Sequence, residues 1–213
     1  SAGDFGAWSI AFTAYVLLLS ALRTWCGDTL MLLLPPATDV RRLVAGALGL
    51  AFAVGGIAAV VVLAIGSVPT GTTGRALLGL GICLPGLLVQ DATRMSLLAQ
   101  RNGRAAFVND GTWLLLTTSA LMALRLTDTA STFLAMLAWG LPSYVGALIG
   151  LYQLRALPSA RLLPGWLRST RRLSVLIFAE WVVFALSSVL MLQVVLSFMR
   201  DVETVGAVRG ALV

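Results

Sequence analysis

The chain alternates long apolar runs with short polar breaks. Runs at 8–34, 43–66, 76–99, 105–126, 130–153 and 173–199 each reach the length of about 20 residues that an α-helix needs to cross a hydrocarbon core of about 30 Å. Residues 43–66 and 130–152 hold no charge at all, so both are predicted as continuous helices with lipid-facing apolar surfaces. The first run contains Arg23, Gly27 and Asp28, which predicts a tilt or bend, and Pro35-Pro36 ends it. Residues 66–74, Arg101-Asn102-Gly103-Arg104 and Thr127-Asp128-Thr129 read as turns between spans. The expected fold is all-α, a polytopic membrane helix bundle of about six transmembrane helices. Its parts are five spans over 1–153, a basic cytoplasmic loop at 154–172, and a sixth span with a tail over 173–213.

Charge adds an orientation. The 213 residues carry a net charge of +6, and every basic residue is arginine. These arginines concentrate in alternate connections. Arg41-Arg42, Arg101 with Arg104, and the group Arg155, Arg161, Arg168, Arg171 and Arg172 follow the first, third and fifth spans. The connections after the second and fourth spans have only Arg75 and Arg125 near their ends. The positive-inside rule places the first set in the cytoplasm and both termini outside. The basic charge therefore reads as a topology signal, with the lipid bilayer as partner and no nucleic acid. The 155–172 segment is interrupted by Pro158 and Pro164. It reads as lying along the membrane surface with Trp166 at headgroup level. An external N-terminus directly before a span, with no signal peptide, raises the expectation of a preceding helix.

The chemistry that composition excludes is broad. No histidine is present, so a Ser-His-Asp triad is impossible and the commonest metal ligand is missing. Walker A, HExxH and Gly-x-Ser-x-Gly motifs are absent, and no cofactor or metal is called for. Cys26 and Cys83 fall at different depths of separate spans, where no disulfide is expected. A non-enzymatic role is the first reading. An intramembrane enzyme working through Asp28, Asp91 and Asp110 stays open.

Charges inside spans are costly and usually face a bundle interior or a water-filled cavity. Arg23, Asp28, Asp91, Arg94, Asp110 and Glu180, accompanied by Gln90 and Asn109, all fall in the cytoplasmic halves of their spans. They read either as a hydrated vestibule closed toward the outside by apolar packing, or as interfacial side chains and ion pairs that lock helices together. Asp91 and Arg94, three residues apart, share a helix face and can pair. Pro85, two turns earlier, predicts a kink. Ala47, Ala51, Gly55 and Ala59, and the Gly146/Gly150 pair, form small-residue stripes that permit close helix approach, here read as ordinary packing.

Two stretches resemble a known family. Asp4-Phe5-Gly6, followed by an apolar helix ending in Arg23-Thr24-Trp25-Cys26-Gly27-Asp28, is similar to the second helix of polysaccharide (O-antigen-type) flippases. Leu84-Pro85-Gly86-Leu87-Leu88-Val89-Gln90-Asp91-Ala92-Thr93-Arg94, Arg101-Asn102-Gly103-Arg104-Ala105-Ala106 and Asn109-Asp110-Gly111-Thr112-Trp113 resemble the fourth and fifth helices of actinobacterial members. That family lies within the multidrug/oligosaccharidyl-lipid/polysaccharide flippase superfamily, whose members have two lobes of six helices. The resemblance implies one lobe: helices two to six, the inter-lobe loop at 155–172, and helix seven. It also implies a bacterial cytoplasmic membrane protein that moves an anionic, pyrophosphate-linked oligosaccharide lipid to the outer leaflet for cell-surface polysaccharide export. Arg23 and Arg94 would meet the phosphates, with Asp91, Asn109 and Asp110 beside them. Partners would be that lipid and the missing second lobe. The rival is a non-transporting membrane subunit or scaffold whose charges bind another subunit.

Overall fold

The structure, a computed structural model, describes residues 2–34, 39–68 and 71–198. The Pro35-Pro36 stop, Pro69 and the tail from residue 199 lie outside the described residues. The described chain is helical throughout, with no strand, and forms six rods in sequence order. The first, α1, joins an α-helix Ala2–Leu22, a π-helical stretch Arg23–Asp28 and a short α-helix Thr29–Leu33. Then come α2 (Val40–Gly66), α3 (Thr72–Ala99) and α4 (Gly103–Leu126). The fifth rod, α5, spans Thr132–Leu154 and the sixth, α6, spans Leu163–Phe198.

Four rods, α1, α2, α3 and α5, are long and apolar enough to cross a membrane on their own. The other two are long enough, but α4 carries Asn109-Asp110 within its length and α6 begins in the arginine cluster. Large apolar side chains stand open on the outer faces, among them Phe52, Ile57 and Val60 of α2, Leu115 and Met122 of α4, and Leu148 of α5. A water-soluble surface rarely exposes apolar area on that scale; a lipid-facing one does.

The bundle is built around α3. Of its most apolar window 78% is buried, against 28–39% for α1, α2 and α5. Small residues on its neighbours allow that. Ala47, Ala51, Gly55 and Ala59 of α2 all turn inward, and a Cβ on Gly55 would stand 3.0 Å from the Pro85 Cα. The small-residue stripe is thus used within the chain. Helix α3 continues through Pro85, and the Tyr144 hydroxyl of α5 donates to the Ile82 carbonyl at 2.7 Å beside that break in the ladder. Outside α3, α1 docks by one ridge: Ala7, Ala11, Tyr15, Leu19, Leu22, Cys26, Leu30 and Leu34 recur at steps of three or four residues and are all buried.

The turns follow local rules. Asp39, Asn102 and Ser131 cap α2, α4 and α5 by accepting from the backbone N–H three residues on. Arg101, Asp128 and Arg155 take left-handed φ values of 58°, 51° and 50° to close the connections.

Two expectations are corrected. Residues 130–152 are not an unbroken helix: the α-helical ladder stops at Gly140 and resumes at Pro142, because proline has no N–H to donate back. Leu141 keeps helical dihedrals, so the rod continues with a changed bond pattern. The sequence shows Pro142, and its effect was readable there. Residues 43–66, by contrast, do form one helix.

The second correction concerns 154–172. The loop ends at Leu162, and α6 starts at Leu163 with Pro164 in its first turn, where a missing N–H costs nothing. Trp166 is buried rather than displayed at headgroup level, packed against the Gly46 face of α2. The Ser159 N–H donates to the Ala45 carbonyl at 3.2 Å, and a Cβ on Gly49 would lie 2.6 Å from the Ser159 carbonyl oxygen. The segment is seated on the first turns of α2. For topology, cysteines replacing Arg161 and Gly71 in a cysteine-free background are expected to react with an impermeant reagent from opposite sides of the membrane, Arg161→Cys only from the cytoplasm. Labelling of Arg161→Cys in intact cells would reverse the orientation.

Candidate functional site

The site begins with the change of helix type in α1. Over Arg23–Asp28 the backbone adopts the wider π-helical turn, a form found mostly as short bulges at functional positions. Threonine hydroxyls serve the carbonyls there: Thr24 donates to Ala21 at 2.7 Å, and Thr29 donates to Thr24, five residues back, at 3.1 Å. Arg23 opens this stretch and is aimed at α3.

There it meets Asp91. Arg23 Nε donates to Asp91 Oδ2 at 2.9 Å and Nη2 donates to Oδ1 at 2.6 Å, a two-pronged pair between α1 and α3. Arg94, one turn along α3, donates from Nη2 to the same Asp91 Oδ1 at 2.9 Å. Its Nη1 stands 3.9 Å from Asp110 Oδ2 on α4. Gln90 closes the chain by donating to Asp110 Oδ1 at 3.2 Å. Two arginines and two carboxylates from three helices thus form one charge-balanced line. Their exposure is graded: the Asp91 side chain is 8% exposed, but Arg94 is 27%, Arg23 39% and Asp110 41%. The carboxylate lies inside, and the outer faces of both arginines stay accessible.

Asn109 is different. It is fully buried and belongs to the joint between α3, α4 and α5, donating to Thr93 Oγ1 at 3.4 Å. The joint is so close that a Cβ on Gly146 would lie 2.8 Å from Asn109 Oδ1, and one on Gly150 would fall 2.6 Å from Thr93 Cβ. The Gly146/Gly150 stripe therefore seats a polar joint within the chain. Asn109 Oδ1 itself has no hydrogen-bond partner.

Helices α1 and α4 both pack on α3 but scarcely touch each other, which leaves a cleft floored by α3. The ion-pair line lies toward one end of this cleft. Toward the other end α5 crosses from α1 to α4, and Trp139 is the wedge. Its ring meets Trp8, Phe12 and Tyr15 of α1 at centroid distances of 6.2, 5.7 and 5.1 Å, and Trp113 of α4 at 6.4 Å. All four contacts are edge-to-face. Thr117 of α4 donates to the Trp139 carbonyl at 3.3 Å, near the carbonyls that Pro142 deprives of a helical donor. Sequence reasoning missed this wall. Nothing in the sequence distinguishes Trp139 from the other apolar residues of its span.

Asp28 and Glu180 do not join the line. They share an open groove of about 580 Å³ between the end of α1 and α6, with Met31, Leu32, Trp181 and Phe184. Of the six intramembrane charges, Arg23, Asp91, Arg94 and Asp110 come together, and Asp28 and Glu180 stand apart from them. Arg23 and Asp28, five residues apart, meet different neighbours, α3 and α6.

Together these features define a helical membrane protein with a line of charge and a buried polar joint inside its bundle. The chain matches no protein-family model, no curated protein and no solved structure.

Proposed function

We propose that this chain is transporter-like, one lobe of a flippase that moves an anionic, lipid-linked oligosaccharide across the bacterial cytoplasmic membrane. The observation that carries this reading is the convergence of Arg23 and Arg94, each with an accessible face, in a cleft that the aromatic wedge at Trp139 narrows at its far end. Guanidinium forks match phosphate oxygens as well as carboxylates. Asp91 and Asp110 hold the forks, and Gln90 orients Asp110. A polar end beside an aromatic wall suits a ligand that combines an anionic group with larger, partly apolar parts. The resemblance of the Asp91 and Asn109-Asp110 stretches to polysaccharide flippases supports the same assignment.

The test is leaflet-to-leaflet movement of a fluorescent lipid-linked oligosaccharide by the protein containing this chain, reconstituted in liposomes. Arg23→Ala and Arg94→Ala are each expected to lower the rate at least about tenfold at equal expression, the loss of one charge-assisted contact. Unchanged flipping in both would remove them from the mechanism and leave a structural ion-pair line.

A second reading, a subunit that docks a partner helix, has its own support in the open groove holding Asp28 and Glu180. Stoichiometric co-purification of a second membrane protein, lost in Glu180→Gln, would favour it.

A further inference from the structure

Asp91 already occupies the arginines that the proposed ligand would need. It takes both prongs of Arg23, at 2.9 and 2.6 Å, and one donor of Arg94 at 2.9 Å. A free anion therefore has to compete with a carboxylate fixed in place. The geometry of the competition involves α1 as much as the arginines.

Below Arg23, α1 is tied down: Leu30 is fully buried, and the Thr29 and Ser174 hydroxyls hydrogen bond at 3.0 Å. Above it, Ala2–Leu22 buries a ridge of which two members, Ala7 and Ala11, are small, with Trp8, Phe12, Ala14 and Leu18 half-buried against the core beside it. Further ties include the ring contacts on Trp139 and a hydrogen bond from Thr132 to Asp4 Oδ1 at 2.9 Å near its start. Between arm and anchor lies the π-helical stretch, where a side-chain-supported bond pattern replaces the regular ladder. Arg23 sits at the boundary. Its pair with Asp91 fastens the lower end of the arm to α3.

We propose that Asp91 is an internal stand-in for the ligand's anion. It latches the Ala2–Leu22 arm against α3, and a phosphate-bearing group entering the cleft takes Arg23 from it and frees the arm to pivot on the π-helical stretch. The displacement step rests on the anion-transport reading; the latch does not. A ligand shifts such an equilibrium only by its preference for one state, and here that preference is the arginine fork, fully available only when Asp91 has let go. Removing the internal competitor removes the penalty on binding.

The test uses the purified full chain in nanodiscs, with Cys26→Ala and Cys83→Ala and spin labels on Gly6→Cys and Met122→Cys. Both label sites are exposed, one on the arm and one on α4. The probe is n-decyl phosphate, with decanol as the uncharged control. Decyl phosphate is expected to lengthen the label distance by about 5 Å, roughly one helical turn, and decanol is not. Asp91→Asn is expected to show the longer distance without ligand and to bind decyl phosphate about tenfold tighter. Arg23→Gln is expected to open likewise but to bind more weakly, and it serves alone if Asp91→Asn does not fold. An unchanged distance in the variants overturns the latch, an unchanged distance in the wild type with decyl phosphate bound overturns the displacement step, and either leaves the anion reading standing. Open variants with no decyl phosphate binding in any form overturn the displacement step and the anion reading together. Asp91→Asn binding no tighter than wild type overturns the stand-in role.

Discussion

Gly150→Leu is expected to yield no folded protein, and Gly150→Ala to lose about 2–3 kcal/mol of stability, the upper range for overpacking a close-packed joint. An added Cβ would lie 2.6 Å from Thr93 Cβ and 2.8 Å from Asn109 Nδ2. Neither neighbour can retreat cheaply. Thr93 and Asn109 are both fully buried, Thr93 donates to the Gln90 carbonyl at 2.7 Å, and Asn109 spends its amide on Thr93. Pushing the helices apart would strand polar atoms where no water reaches them, adding a desolvation penalty to the steric one. Gly56 provides the control: nothing lies within 4 Å of its would-be Cβ, so Gly56→Ala should be neutral or slightly stabilising. Thermal unfolding of both variants in one mild detergent decides it. Equal midpoints would mean that α5 can shift along α3 freely, and that the joint is not tight.

Part of this architecture was legible in the sequence. Charge is so scarce in the spans that Arg23, Asp91, Arg94 and Asp110 stand out on inspection, and the cost of isolating any of them in hydrocarbon makes convergence the expected outcome. Span order and type were legible for a similar reason, since apolar length alone demands helices. Azimuth was not. Whether Asp28 faces the Asp91 line or the α6 groove depends on which neighbour packs on that side of α1, set among other contacts by where Thr29 finds Ser174, 145 residues away. Trp139 reads in sequence as one more apolar residue. Only the path of α5 across α1 and α4 makes it a wedge. Pro142 and Pro164 were misjudged in opposite senses, the first overlooked and the second taken for an interruption, because proline's effect depends on whether its position has a donor to lose.

The placement of α3 adds a link from packing to function. It is the most buried rod, yet it carries Gln90, Asp91, Thr93, Arg94 and Ser96 in consecutive turns. A central helix of that composition is stable only because its neighbours supply small residues for approach and polar groups for pairing. The price of this arrangement is that little slack remains: a change on α4 or α5 is felt at the charges of α3. The exposed helix α4, with only Ala106, Asn109 and Thr117 buried, is held at Asn109 and presents Asp110 to the cleft.

Asp91→Ala is expected to cost about 2–4 kcal/mol, more than either arginine substitution. The bracket comes from the 3–5 kcal/mol typical of breaking a buried pair, reduced because both arginines are partly exposed. Its removal leaves two guanidinium groups on one face with Asp110 as the remaining carboxylate of the line, 3.9 Å from Arg94. Arg23→Ala should cost less, about 1 kcal/mol, because Asp91 keeps its bond from Arg94 at 2.9 Å. Arg94→Ala should resemble it, since Asp91 keeps both prongs of Arg23 and Asp110 keeps Gln90. The double variant Asp91→Ala/Arg23→Ala separates pairing from simple burial. Once Arg23 is gone, deleting Asp91 no longer leaves that charge uncompensated, so the two losses should fall short of additivity by about 1–3 kcal/mol. Unfolding free energies of the four proteins in one detergent provide the cycle. Strict additivity would mean that the Arg23–Asp91 contact holds no net energy, and α1 would then be kept in place by its apolar ridge, the rings around Trp139 and its hydrogen bonds to Thr132 and Ser174.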